Sequence, residues 1–479
     1  MRVFGVERVW LAFCAALAAG GFCGFRLGAF VSFWPLVFSL AAVLLLFALS
    51  RASTAWISVV CAVIGFALAL RVCADRLDSF REIAGGERGR HDEVFTVLSD
   101  ATSRSDGWTS FRTRMGNVPV RVVCRLGPDQ ELPRAGERWN CSGWLRVGEF
   151  DDFLSERTFW ATGDGPTAFR VASASPLSPR ALASCARRAF SERVGWGLEH
   201  DSLAADLNRA ILLGEKFRLD RRTKETFAAA GTLHVFAISG LHVMIVARLI
   251  SILLLLTFLP ARFHGLVALP LLWAYVLMVG APPSAVRAGL MSTFAFLAPL
   301  FWRRPNGLIA WSATFLLVHV VDPTMLFDVG SLFSFAVMFS LGLFGRLAEG
   351  FRRPFVRALV PACAAWAAGV PIAAHVFGRF TPGGLVANVV MIPIAGVEVS
   401  VESLGLLAGF VSRALAEHFN NLSALLTRLM TGVSTFVSEI PGADVALEPW
   451  GASTCILWYV MMGLVFFLLS RRLDRPSEL

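Results

Sequence analysis

The chain has 479 residues, of which 56% are hydrophobic and only 16% are charged, and its mean hydropathy is +0.62. These values exclude an ordinary soluble globular protein and predict a polytopic α-helical membrane protein. The formal net charge of +9 fits phosphate binding, but it fits an arginine-rich genome composition equally well.

Apolar segments of membrane-spanning length recur along the chain, and each is close to the ~17–25 residues that a tilted helix needs. They cover residues 9–25, 29–50, 54–72, 238–259, 265–280, 284–301, 307–321, 326–345, 358–378, 385–411 and 453–470. The first follows Arg2 and Arg8 like a signal peptide, but two more spans come directly after it, so we expect an uncleaved helix. We predict about 9–12 spans in all, with residues 1–75 forming an N-terminal group of membrane helices.

Arginines in alternate short loops predict the orientation. These arginines are Arg51, Arg262, Arg303, Arg304, Arg346, Arg352, Arg353 and Arg357. The positive-inside rule assigns them to the cytoplasm and therefore assigns the connection at 74–205 to the outside. The arginines at 471–475 also favour a cytoplasmic tail, whereas counting 385–411 and 453–470 as single spans puts that tail outside. Either 385–411 is broken at Pro393 and Glu398 into a re-entrant element, or 413–440 inserts.

The connection at 76–176 alternates apolar and polar residues and contains turn sequences, as small β-domains do. The predicted strands or hairpins are VFTVLS, TSFRTRMGNVPVRVVCRL, RWNCSGWLRVGEF and TAFRVASASP, with turns at Met115-Gly116-Asn117 and Gly127-Pro128-Asp129. About five short strands suit an OB-like barrel. We therefore predict a small extracytoplasmic β-barrel inserted between the membrane helices.

One hairpin of this domain concentrates arginines and aromatic residues. The stretch between Gly107 and Pro128 has no acidic residue, and its candidates for DNA binding are Trp108, Phe111, Arg112, Arg114, Arg121 and Arg125. Such a surface suits a single strand, whose bases stack on aromatic rings at about 1–3 kcal/mol each. A solvated hairpin face explains the same residues equally well, because acids and arginines nearly balance across the whole domain.

Cysteines are scattered, and most of the nine lie in apolar spans, where they act as small hydrophobic residues. Cys124 and Cys141 instead fall in the predicted extracytoplasmic strands, so a disulfide between them suits that redox compartment. The sequence has neither a CxxC pair nor a His/Cys cluster with zinc spacing. We expect no metal and no cofactor.

Residues 177–230 have the pattern of helices leading back to the membrane. In 177–200 apolar residues recur every four positions with arginines off that line, as in a helix lying in the interface. Ser202 to Leu213 and Asp220 to Ala230 are predicted short helices, with Asp220 as an N-cap.

The stretch GTLHVFAISGLHVMIVA, residues 231–247, places His234, Ser239, Gly240 and His242 at the start of a long apolar run. Polar groups kept inside a membrane usually line a cavity, a pore or a site. Ser239 and His242 are three residues apart and share a helix face, which is the minimal arrangement of an acyl-transfer nucleophile, although no acid lies nearby in sequence. Alternatively, Ser239-Gly240 makes a break or a close helix crossing, and the histidines bond to the freed carbonyls.

Further polar residues interrupt the later spans. Arg287 either snorkels to the interface or faces a pore, where a cation suits a polyanion. Asp328, Glu398 and Glu402 are intramembrane carboxylates that either pair with Arg287 or with each other, couple to protons, or sit near interfaces, where they cost little. His375 and Asn388 flank the loop at 378–382 and most simply tie two helix ends together. We predict residues 231–479 to form a membrane channel domain.

Five ordered segments resemble the membrane domain of the ComEC family, the inner-membrane DNA-import channels of natural competence. They are ILLGEKFRLD (211–220), GTLHVFAISGLHV (231–243), GAPPSAVRAGLM (280–291), DVGSLFSFAVMFSL (328–341) and PIAAHVFGRFTPGGLVANVVMIPI (371–394). The chain departs from the family at Ser331-Leu332-Phe333, where the family has Phe-Gln-Leu, so a role for that glutamine does not carry over. ComEC proteins also have an OB-like domain where this chain has its predicted β-domain.

The resemblance implies an inner-membrane channel that imports single-stranded DNA into the cytoplasm. The sequence has neither the H-x-H-x-D-H run of the nuclease domain of many ComEC proteins nor a Walker A loop. It is therefore expected to be a short, non-enzymatic form that works with a periplasmic or surface DNA receptor, a separate nuclease and a cytosolic ATPase or helicase. The alternatives are an intramembrane enzyme that uses Ser239 and His242 on a lipid or envelope precursor, and a solute transporter of the same fold.

Overall fold

The computed structural model describes residues 91–98, 101–103, 108–115, 118–126, 130–146, 157–161, 168–173, 178–302, 304–321, 325 and 328–473. The predicted spans at 9–25, 29–50 and 54–72 and the turn at 127–129 lie outside these residues. The chain divides into two compact units. One comprises residues 1–188, 277–281 and 312–328, and the other residues 189–276, 282–311 and 329–479.

The first unit contains a β-sheet built from the polar connection. Its strands are β1 His91–Thr96, β2 Thr102–Ser103, β3 Trp108–Met115, β4 Val118–Arg125, β5 Arg138–Arg146, β6 Arg157–Trp160 and β7 Ala168–Ala172. They pair in the order β1-β5-β6-β4-β3-β2, and β7 also pairs with β5. Only the β4–β6 pair is parallel. The predicted hairpin is confirmed, with Met115 opposite Val118, while the sequence analysis missed the short strand β6.

Alternate residues of these strands form the core of the sheet. Trp139, Phe159 and Phe95 are each at most 2% exposed and pack in one apolar cluster. Phe95 and Phe159 meet edge to face with their ring centroids 5.0 Å apart. Such aromatic pairs add about 0.5–1.5 kcal/mol beyond the area they bury. Beyond β1, the amide of Leu98 donates to the carbonyl of Arg112, at 2.8 Å.

Helices make up most of the chain after the sheet. They are α1 Pro179–Val194, α2 Ser202–Leu213, α3 Arg221–Ala229, α4 Gly240–Leu255, α5 His264–Met278, α6 Pro283–Leu297, α7 Gly307–Val321, α8 Val329–Ala348, α9 Pro354–Phe377, α10 Gly383–Ala408, α11 Arg413–Ser438 and α12 Ala452–Leu473. Two further short strands, β8 Arg379–Phe380 and β9 Val445–Ala446, pair with each other. The predicted N-cap of α3 is confirmed, because the Asp220 carboxylate accepts the amide of Thr223.

All eight predicted spans between 238 and 470 correspond to apolar helices. Five of these helices are long and apolar enough to cross a membrane: Pro283–Phe301, Val329–Ala348, Pro354–Phe377, Gly383–Ala408 and Ser453–Ser470. The other three, α4, α5 and α7, are shorter apolar helices, and α4 and α5 are also shorter than the predicted spans 238–259 and 265–280. At about 1.5 Å per residue, the shorter helices fall below the ~30 Å hydrocarbon thickness.

The predicted break of 385–411 at Pro393 and Glu398, one of two ways to place the C-terminal arginines in the cytoplasm, is wrong. Helix α10 runs from Gly383 to Ala408 without a break and includes Pro393 and Glu398. An interior proline removes one backbone hydrogen bond, but here the helix continues past it. The other way, insertion of 413–440 into the membrane, concerns α11, which is one continuous helix of 26 residues.

Candidate functional site

The stretch at 231–247 contains a short 3-10 turn, Leu233–Phe236, followed by helix α4. Ser239 is the N-cap of α4, and its Oγ accepts the amide of Leu241 at 3.2 Å. The amide of Ser239 in turn donates to Nδ1 of His242, at 3.2 Å. Together these bonds form a capping box in which His242 takes the place that Glu or Gln usually fills.

The Ser239–His242 pair is arranged as a helix cap. Its Oγ and Nδ1 atoms are 2.9 Å apart, which also suits a nucleophile beside a base. However, Nδ1 already accepts a backbone amide, so the neutral ring carries its hydrogen on Nε2. That Nε2 is buried and has no hydrogen-bond partner among the described residues. A catalytic base is normally oriented by a third group, and none holds this ring.

Residues from four of the family-like segments meet around residues 231–240. Gly214 has a φ of +72°, and a Cβ there would lie 3.0 Å from Ile238. The hydroxyl of Ser284 donates to the carbonyl of Ile238, at 2.5 Å. Gly231 has a φ of +70°, and a Cβ there would lie only 2.9 Å from Cα of Gly384. Gly231 therefore makes a close backbone approach that was not predicted from the sequence.

Gly240 makes no such approach. A Cβ at this position would lie 3.8 Å from Cβ of Ala288, which is ordinary van der Waals contact. The expected break in the chain is present at Ser239-Gly240, because α4 begins there. Of the two predicted alternatives at Ser239-Gly240, the helix break is therefore present and the close helix crossing is not.

Arg287 links two of the family-like segments. Its side chain is only 4% exposed, its Nη2 donates to the carbonyl of Gly330 at 2.9 Å, and its Cζ lies 5.7 Å from the ring centroid of Phe335. The snorkelling alternative is wrong, because the guanidinium is buried against the start of α8. Asp328, which directly precedes α8, is half-buried.

His375 and Asn388 do not tie their two helices to each other. The Nδ1 of His375 donates to the carbonyl of Trp450, at 2.7 Å, so it holds the segment that precedes α12. The Oδ1 of Asn388 is buried without a hydrogen-bond partner among the described residues. The expected link is not formed by His375, which instead bonds to the segment that precedes α12.

The sequence analysis missed two polar residues of the helical unit. Arg248 lies on α4 and is exposed, whereas His242 on the same helix is buried. A charged residue inside the apolar run 243–259 was the signal that could have found it. Asn208 is 0% exposed on α2, and neither atom of its amide has a hydrogen-bond partner in the described part of the chain.

The DNA-binding candidates of the β-sheet divide between its two faces. Arg112 is opposite Arg121 in the β3–β4 hairpin, and Trp108 is opposite Arg125. The Arg125 guanidinium lies 4.7 Å from the Trp108 ring centroid. Because side chains alternate along a strand, these residues share the face opposite to the core.

Phe111 is not part of that basic face. It is 2% exposed within the core cluster, so its ring is not available to stack on a base. Its position three residues after Trp108 puts it on the other side of the strand. Arg114 lies on β3, opposite Pro119.

Cys124 and Cys141 are free thiols in the structure, and the predicted disulfide is not formed in it. Both are 0% exposed in the same apolar cluster, where they pack as small hydrophobic residues. Burial raises the pKa of the Cys124 thiol to about 12. Burial and then the neighbouring Cys124 raise the pKa of Cys141 as well.

Comparison with known proteins identifies the family. Residues 211–472, more than half of the chain, match the family model described as Competence protein. The chain is also similar to ComE operon protein 3 of Bacillus subtilis (strain 168), with 26% identity over 232 residues. That match covers 47% of this chain and 30% of the relative, so the chain spans well under two thirds of the relative's length. No solved structure matches the chain at a significant level. The chain belongs to the Competence protein family and is a multi-pass protein of the inner membrane.

Proposed function

We propose that the protein is an inner-membrane channel that passes single-stranded DNA into the cytoplasm during natural transformation. The observation that carries this proposal is the family match over residues 211–472, which includes all five family-like segments in full. In this proposal the chain supplies the path and not the chemistry of strand degradation.

The exposed face of α4 is our candidate for one wall of the path. Arg248 is about 12 Å along the helix axis from Gly240, and it is exposed together with Met244, four residues earlier. A charge near the bilayer centre costs about 2.5–3.5 kcal/mol on insertion scales. This cost favours a polar space beside Arg248 over lipid, and a cation there suits a polyanion.

The other path candidates have two different roles in this proposal. His234 is exposed on the 3-10 turn before α4, so it is a candidate for contact with the strand. His242 and Arg287 are buried, so they support the wall by fixing the starts of α4 and α8. Ser239, Gly240, Asp328, His375 and Asn388 stay candidates whose contact with DNA is a prediction.

An OB-like barrel is our proposal for the outer domain at 76–176. Its support is the strand order β1-β5-β6-β4-β3, together with the bond between Leu98 and Arg112 that joins the end of β1 to β3. Five strands paired in this way form a ring, and OB folds are five-stranded Greek-key barrels. We propose the face with Trp108, Arg112, Arg121 and Arg125 as the part that tracks DNA.

We infer that α11 inserts into the membrane beside α10. It is about 39 Å long, with leucines such as Leu422, Leu425 and Leu429 exposed and polar residues such as Asn420 and Ser423 buried. Apolar residues outside and polar residues inside are typical of a helix surrounded by lipid. This insertion puts the C-terminal arginines in the cytoplasm.

The proposed domain organisation keeps four parts. Residues 1–75 form N-terminal membrane helices, 76–176 the outer domain, 177–230 interfacial helices and 231–479 the channel domain. A DNA receptor, a separate nuclease and a cytosolic ATPase or helicase are the proposed partners.

The main alternative is an intramembrane enzyme, which the 2.9 Å distance between Ser239 and His242 favours. Two observations argue against an enzyme: Ser239 and His242 form a capping box, and Nε2 of His242 has no hydrogen-bond partner among the described residues to orient the ring. A solute transporter of the same fold would use the same helices with another cargo.

Import of labelled double-stranded DNA in the native host tests the proposal. We compare a deletion strain with strains complemented by wild type, Arg248→Gln or Arg352→Gln, at matched protein levels. Arg352 is exposed in a short loop and is the matched control for loss of one arginine. DNA should stay outside the cytoplasm in the deletion strain, Arg248→Gln should reduce import, and Arg352→Gln should import normally. Normal transformation of the deletion strain would refute the proposal.

A further inference from the structure

Two glutamates face each other in the interior of the helical unit. Glu398 and Glu402 are one turn apart on α10 and are 0% and 1% exposed. The hydroxyl of Ser423, on α11, donates to Oε1 of Glu398 at 3.2 Å. Oε2 of Glu398 and both carboxyl oxygens of Glu402 have no hydrogen-bond partner among the described residues. The pair is therefore short of hydrogen-bond donors.

A third polar side chain points at this pair from another helix. Asn208, on α2, is 0% exposed, and its amide faces the carboxyl group of Glu402. Neither its Nδ2 nor its Oδ1 has a hydrogen-bond partner in the described part of the chain. A buried polar group without a partner is costly, so the arrangement indicates that something else belongs between these side chains.

The charged and titratable groups around the pair are few. Arg209 is close enough to act on Glu402, but its Nη1 pairs with Asp206 at 3.1 Å. Tyr275, on α5, is near enough to interact electrostatically with both glutamates, and its hydroxyl donates to the backbone carbonyl of Leu212 on α2. Among the described residues, no arginine or lysine forms an ion pair with Glu398 or Glu402.

Two carboxylates cannot both stay charged side by side in such surroundings, because burial and like charge both disfavour ionisation. A hydrogen on one carboxyl group supplies the donor that the cluster lacks and leaves a single negative charge near Arg209. A metal ion is a poorer fit. The described residues hold no group of three or more His, Cys, Asp or Glu side chains that could hold a metal ion.

We propose that Glu398, Glu402, Asn208 and Ser423 form a proton-binding site in which the carboxyl pair takes up and releases one proton. This site does not depend on which cargo the channel passes. Loss of the proton puts a second negative charge where α10 meets α2 and α11, so the packing of these three helices follows the protonation state of the pair.

Carbodiimide labelling of the full chain in liposomes tests the proposal. Dicyclohexylcarbodiimide takes up the hydrogen of a protonated carboxyl group on one nitrogen while the carboxyl oxygen bonds to its central carbon, and the adduct rearranges to a stable N-acylurea. We expect peptide mass mapping to find the adduct on Glu398 or Glu402. The label should fall about tenfold per pH unit above the titration midpoint of the pair.

Two variants and one ion competition sharpen the result. Glu402→Gln should remove the adduct at its own position, whereas Glu417→Gln, which loses only a surface ion pair with Arg413, should leave labelling unchanged. Labelling that does not change with pH, or no labelling at either glutamate, would overturn the proposal. Protection by sodium chloride but not by choline chloride would also overturn it, in favour of a metal cation. None of these readouts measures DNA import, so the proposed channel function stands or falls separately.

Discussion

Substitutions at Ser239 test whether this residue acts as a helix cap or as a nucleophile. Ser239→Ala removes the acceptor of the Leu241 amide at 3.2 Å and the hydroxyl at 2.9 Å from His242. Loss of an N-cap costs about 0.5–2 kcal/mol. The imidazole keeps its bond from the Ser239 backbone, so we expect a loss of about 1 kcal/mol in the free energy of unfolding. Ser239→Asn should cost only a few tenths, because Asn is an equally good cap.

The assay combines thermal unfolding of the purified full chain in detergent with DNA import in the host. A loss of about 1 kcal/mol lowers the melting temperature by no more than about 2–4 °C in a chain of this size. Ser239→Asn should import DNA almost normally, and Ser239→Ala should lose import only in proportion to its protein level. Ser251→Ala is the control, because that hydroxyl bonds to a carbonyl of the same helix outside the cap. If Ser239→Ala and Ser239→Asn both abolish import without loss of stability, the hydroxyl itself acts in import, by reaction or by contact with the strand, and the cap explanation is refuted.

Three further predictions test other parts of the structure. Gly231→Ala should destabilise the protein by more than about 1 kcal/mol, because of its positive φ and the facing backbone, whereas Gly240→Ala should be nearly neutral; thermal unfolding compares them. Arg287→Glu should lower DNA import far more than Arg287→Lys, because a carboxylate would face the carbonyl that the guanidinium now binds; equal import by the two variants would contradict this. Cys124 and Cys141 should each take up a maleimide after denaturation without reductant, and neither should react in the native protein near pH 8, where the pKa of about 12 for Cys124 keeps its thiol neutral; a peptide that is labelled only after reduction would show a bridge instead.

Local signals in the sequence were enough to predict the helices. The N-cap of α3 could be predicted because Asp220 precedes a helical pattern, and the cap needs only residues that are near in sequence. The apolar runs also identified the membrane helices, since length and composition decide whether a segment spans a bilayer. Helix ends were less accurate, because α4 ends at Leu255 and α5 at Met278, before the predicted ends at 259 and 280.

Contacts between distant segments could not be predicted in this way. Nothing in the pattern of α2 pairs Asn208 with Glu402, because helices far apart in sequence have to pack before these side chains meet. The error at Phe111 was different, because the two-residue period of a strand already puts Trp108 and Phe111 on opposite faces. Trp108 and Phe111 were grouped by composition alone, without regard to the two-residue alternation of the strand.

The contact between Gly231 and Gly384 determines how the helical unit is able to move. With no side chain between the two backbones, the segment before α4 and the first turn of α10 meet so closely that residue 231 has to be glycine. Sliding that brought Thr232 or Leu385 to this point would need room for a side chain. The contact therefore fixes the register of the two segments, so a motion that widens a passage beside α4 has to tilt the start of α10 with it.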